Sequence, residues 1–147
     1  MTLMENESDT FGGMWIQNEP SYHIYVLFTR DGEATLRKYT ANGPLASAIE
    51  VRTAKASPKE LATDQSRAES ISHSLDIQVD AEIDIIANQV DLYVTDAAQY
   101  LAALRNANLS LPPNVVLYNA QGQPQGPDAT RYPTVMPRVA STQLVYR

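Results

Sequence analysis

Strand-sized apolar segments alternating with capped helices constrain this chain more than any other feature. Residues 22–29 (YHIYVLFT) are aromatic, β-branched and apolar on both faces, which predicts a central strand. A helix follows, with Asp31 at its N-terminus, Arg37 and Lys38 in its last turn where the helix dipole favours cations, and Asn42-Gly43-Pro44 as a stop. Residues 49–54 (IEVRTA) alternate, with Ile49, Val51 and Thr53 on one face and Glu50 and Arg52 on the other, so they read as a half-buried strand. Ser57-Pro58-Lys59-Glu60 is a capping box with proline at the first helical position. It opens a helix to about Ser74 that carries Leu61, Ala68, Ile71 and Leu75 on one side.

Residues 81–86 and 90–95 flank Ala87-Asn88-Gln89 and read as a hairpin, with Ile83 and Ile85 facing Val90, Leu92 and Val94. Asp96, three residues before Gln99, caps a third helix with Ala97, Leu101 and Leu104 as its apolar positions. Residues 115–118, after Pro112-Pro113, form a last strand. The order β-α-β-α-β-β-α-β predicts an α+β fold, a two-layer sandwich. Three helices lie on one face of a largely antiparallel or mixed sheet of about four to five strands.

Beyond Tyr118 the composition changes. Gln121-Gly122-Gln123-Pro124-Gln125-Gly126-Pro127 reads as a linker, so residues 119–147 are expected to be a linker and extended tail behind a single domain of residues 11–118. Residues 1–10 read as the remnant of a preceding segment. No internal repeat is legible. The start holds three acids and no base through Asp9, unlike a secretory signal, and the longest apolar run, residues 24–28, is too short to span a bilayer.

With 147 residues the chain can bury roughly 68–70% of its unfolded surface, a core that needs no disulfide or metal. It has no cysteine, which excludes thiol nucleophiles, thiolate metal sites and disulfides. Net charge is −6, and residues 76–96 hold six acids and no Lys or Arg, so nucleic acid is an unsuited partner and a basic or neutral one fits better.

No chemistry-bearing constellation stands out. His23 falls on a strand and His73 on a helix, neither with a partner at metal-binding spacing, so no metal and no cofactor are expected. Asp80, Glu82 and Asp84 line one face of a strand, where they can bind calcium or meet a basic partner. A hairpin with one face on the core shows such residues outward anyway, and the glycine and ligand order of an EF-hand are missing. A catalytic reading would require a deep pocket holding two of His23, His73, Asp84 and Asp91; the chain is not expected to be an enzyme.

Phe11-Gly12-Gly13-Met14-Trp15-Ile16 is the most distinctive string. Locally, its glycines permit close backbone approach, and its tryptophan, the sole one in the chain, is placed to anchor the first strand in the core. The string also resembles the F-x-G-x-W-I/L element of the pro-regions of alpha-lytic protease and the streptogrisins, bacterial secreted proteases of the chymotrypsin fold. Phe11, Gly13, Trp15 and Ile16 are the matching positions. The order of elements through about residue 118 is similar to those pro-regions as well.

The resemblance implies a bacterial, extracellular or periplasmic domain that inhibits a chymotrypsin-like serine protease and templates its folding. It would add its sheet to a hairpin of the partner and send its C-terminal tail into the active-site cleft. On this expectation the contact edge is the hairpin of residues 83–94, with Ile83, Ile85, Val90, Leu92, Tyr93 and Val94, and the insert is residues 134–147, with Leu144, Val145 and Tyr146. No G-D-S-G serine motif and no protease follow in this chain. An alternative expectation is a self-assembling subunit, in which residues 140–146 pair as a strand with another copy of the chain.

Overall fold

The computed structural model describes residues 3–40 and 43–120, together with the backbone of Pro124–Gln125. Helix α1 (Leu3–Asn6) leads into strands β1 (Phe11–Gln17) and β2 (His23–Phe28), helix α2 (Gly32–Thr40), a 3-10 turn (Ala46–Ala48) and β3 (Ile49–Thr53). Helix α3 (Pro58–Ser74) then carries the chain to β4 (Asp80–Asp84), β5 (Gln89–Val94), α4 (Ala97–Asn106), β6 (Val115–Asn119) and β7 (Pro124–Gln125). The class is α+β, as the alternation of elements implies.

The strands do not form one sheet. They divide into a three-stranded sheet, β1-β2-β3, and a second of order β4-β5-β6-β7. Two strands exceed the sequence expectation. Phe11–Gln17 forms one despite two glycines, because β2 is apolar on both faces and supplies a full partner ladder from Gln17↔His23 to Gly13↔Leu27. Pro124–Gln125, within the stretch read as a linker, pairs with Leu117 and Tyr118 of β6.

The two sheets repeat one plan that the sequence hides. In each, an antiparallel hairpin is followed by a helical crossover to a parallel strand: β2 pairs with β3 from Ile24↔Ile49 to Phe28↔Thr53, and β5 with β6 from Val90↔Val115 to Val94↔Asn119. The match extends to one hydrogen bond past each ladder. Ala54 N–H donates to the Phe28 carbonyl at 2.8 Å, and Ala120 N–H to the Val94 carbonyl at 2.7 Å. At the level of side chains the two share only a burial pattern, Ile24, Val26 and Phe28 answering to Val90, Leu92 and Val94.

Each sheet packs one face on helices. Phe11, Ile24, Val26, Phe28 and Leu36 form the first core, with Leu3 of α1 against it. Ala68, Leu92, Val94, Ala97, Tyr100, Leu104 and Leu117 form the second. Tyr100, fully buried, meets the Ser72 hydroxyl at 2.7 Å, and Ser72 in turn donates to the Ala68 carbonyl. The helix starts are as expected from local sequence. Ser57 accepts from Glu60 N–H and the Glu60 carboxylate from Ser57 N–H, while Asp96 accepts from Gln99 N–H.

Asn88 joins the halves. It sits in the β4–β5 turn with φ of 55°, and its Oδ1 accepts from Lys55 N–H and Ala56 N–H while its Nδ2 donates to the Ala56 carbonyl. Beside it, Ala56, Leu61 and Val90 make a small junction core. No helix among the described residues is long and apolar enough to cross a membrane.

Candidate functional site: sheet margins and open faces

The hairpin residues expected to contact a partner mostly face inward. Val90 and Leu92 are 0% exposed and Val94 2%, because β5 is flanked by β4 and β6 and turns these side chains toward α3 and α4. They cannot offer a binding surface without unfolding the core. Ile83 is half-buried against the Ala56–Leu61–Val90 group, and Ile85 lies beyond the end of β4, in the turn. A Cβ at Gly13 would come within 2.6 Å of Ile85 Cγ2, so Ile85 closes on β1 and not on the Val90 face. Tyr93 does point outward; its ring stacks on Tyr118 with centroids 5.3 Å apart and its hydroxyl donates to Glu82. Leu144, Val145, Tyr146 and the whole 134–147 insert lie outside the described residues.

The glycine–tryptophan string is divided between two faces. Phe11 is in the core, edge-on to Phe28. Trp15 is not; it is half-buried on the face turned away from α1 and α2, stacked on Tyr25 at 4.9 Å, with the Arg52 guanidinium 4.1 Å from the Tyr25 ring. The cause is a bulge between Phe11 and Gly13, where the register jumps from Phe11↔Phe28 to Gly13↔Leu27. One extra residue reverses which face every later side chain takes, so Trp15 follows Tyr25 and Leu27 instead of Phe11. Gly13 holds φ of 137°, a conformation L-residues rarely take, and Ile16 is 41% exposed.

On the second sheet the open face is acidic. Asp80, Glu82 and Asp84 line it from β4, as the i, i+2, i+4 spacing predicts. Among the described residues no His, Asp and Glu come together in a group that could hold a metal ion. His23 begins β2 with its ring stacked on Tyr25, and His73 is exposed on α3. An open groove along α3, bounded by Lys59, Arg67, Ile71 and Leu109, contains none of His23, His73, Asp84 or Asp91.

Sequence reasoning missed the role of Asp91. It is buried on this same face, accepts a hydrogen bond from Gln89 Nε2 at 2.8 Å, and shares that amide with the Tyr118 hydroxyl at 3.1 Å. Burial first, then the Asp84 and Glu82 charges, push its carboxyl up to about 6, against the pull of the Gln89 hydrogen bond. Burial likewise pushes the Tyr93 phenol up, and its bond to Glu82 adds to this. The sequence signal was only an acid between Val90 and Leu92, the ordinary look of an outward position.

The strand margins differ in what protects them. Gln65 of α3 donates to the Ala81 carbonyl of β4 at 2.9 Å, which identifies Ala81, and by alternation Ile83, as the residues whose backbone groups point outward. β3 carries Glu50 and Arg52, paired at 3.0 Å. β7 lies along β6. Comparison with protein-family models gives no match to this chain, and comparison with curated proteins gives none.

Proposed function

We propose that this protein is a non-catalytic protein-binding domain that acts like a protease pro-region: it inhibits, or chaperones the folding of, a secreted chymotrypsin-like serine protease by taking a partner strand along a sheet margin. The observation that carries the reading is the position of β4. In the second sheet β6 is covered by β7 on one side, while β4 ends the other side with the backbone groups of Ala81 and Ile83 directed outward. Backbone groups at such a margin supply affinity for an added strand, and the flanking side chains select it. Here the flanking side chains are Asp80 and Glu82, both exposed, so a partner strand with lysine or arginine at alternate positions is favoured. The C-terminal segment of residues 134–147 is the proposed insert for the partner's cleft.

Titrating bacterial chymotrypsin-like proteases with the full chain tests this. Stoichiometric loss of activity, relieved by deleting residues 134–147, is the expected outcome. Full activity of every protease at a large molar excess of the chain would overturn it. An oligomer lost on deleting residues 121–147 would favour assembly through the tail instead.

A further inference from the structure

Folded proteins protect free strand margins with charge, proline, bulges or covering segments, because the unpaired N–H and C=O groups there template other strands. Two margins here follow that rule, β3 with Glu50 and Arg52 and β6 with β7, and the acids of β4 turn away any strand that is not basic. β1 does not. Its seven residues, FGGMWIQ, include no charge and no proline, and its one bulge sits at the start, leaving residues 14–17 as regular strand. Among the described residues, the backbone groups of residues 14–17 bond only to β2. Met14 and Ile16 are 45% and 41% exposed on one face, and Trp15 is half-buried on the other.

We propose that β1 is a self-association interface, where a second copy adds its own β1 antiparallel across a two-fold axis at Trp15 and joins two three-stranded sheets into a continuous six-stranded one. The strand's own sequence selects this occupant. Centring the axis on Trp15 sets Trp15 opposite Trp15 of the second copy on one face and Met14 opposite Ile16 on the other, aromatic on aromatic and aliphatic on aliphatic. Gly13 then stands opposite Gln17 of the second copy. Charge points the same way. The chain carries a net −6, and copies meeting at β4 would oppose acids to acids, whereas β1 brings together uncharged strands beside the neutralised Glu50–Arg52 pair. A two-fold interface is also closed, so it yields a dimer and not a fibre. This margin belongs to the other sheet from the proposed protease contact, and the two readings stand separately.

The test uses the full chain, in which Trp15 is the sole tryptophan and cysteine is absent. Sedimentation velocity from micromolar to submillimolar concentration should pass from monomer to dimer, with Trp15 emission shifting to the blue over the same range. Met14→Lys and Ile16→Lys alter exposed side chains and should each weaken the dimer at least tenfold while the circular dichroism stays unchanged. In Trp15→Cys, opposed Cα atoms about 4.5–5.5 Å apart fall within disulfide reach, so mild oxidation should link copies faster than in Met14→Cys or Ile16→Cys. A monomer throughout the range, a dimer indifferent to both lysine variants, or cross-linking no faster at position 15 than at 14 and 16 would overturn the proposal.

Discussion

Asp91 of β5 stands opposite Glu82 of β4, acid across from acid, on the sheet face turned away from α3 and α4, and Asp91 is only 6% exposed. This pairing stores unfavourable charge in the native state. Gln89 is what makes it tolerable, since its amide donates to Asp91 while also reaching Tyr118.

A pH-dependent stability follows. The Asp91 carboxyl is pushed up to about 6 from an ordinary 3.8, so the folded state binds the proton more tightly than the unfolded one. Its contribution to stability is full below about pH 4 and lost as pH rises through about 6. Asp91→Asn keeps an acceptor for Gln89 without the charge, and should raise stability at pH 7.5 by up to about 3 kcal/mol while changing little at pH 4. Urea unfolding of both proteins across pH 4–8 checks it; parallel curves would refute the assignment.

Asn88 should be the costliest polar residue to replace at the junction. Its side chain makes three hydrogen bonds to residues 55–56 from a backbone with φ of 55°. Asn88→Ala loses the bonds and strains the backbone, and should cost about 2–4 kcal/mol. Asn88→Gly relieves the strain alone, and should recover about 1 kcal/mol of that loss in chemical denaturation.

The Ser72–Tyr100 pair should respond unequally to its two deletions. Because Ser72 donates to the Ala68 carbonyl, it accepts from Tyr100. Ser72→Ala strands a buried phenol donor, while Tyr100→Phe removes the donor itself. Thermal unfolding should give a loss of about 1–3 kcal/mol for the first and about 1 kcal/mol for the second. The reverse order would mean that the hydroxyls are oriented the other way.

At the proposed protease contact, Ala81→Pro removes an outward N–H and leaves the β4–β5 ladder bonds in place. Inhibition should weaken at least tenfold with little change in melting temperature. Unaltered inhibition would move the contact away from β4.

Local sequence determined the local structure of this protein. The capping box at Ser57 and the Asp96 cap are written in residues three apart, and both form as written because a cap depends only on its own turn. The alternation of strands and helices likewise determined the α+β class, and the i, i+2, i+4 spacing placed Asp80, Glu82 and Asp84 on one face. What tertiary structure alone decided was partnership. Which strands share a sheet, that a bulge at Gly12 turns Trp15 out of the core, that Val90 and Leu92 face helices instead of a partner, and that Asp91 is buried all depend on groups distant in sequence. The repeat of the two halves was hidden for the same reason. Packing requires only that apolar side chains return at matching depths, so Ile24 and Val90 hold equivalent places without any shared motif around them.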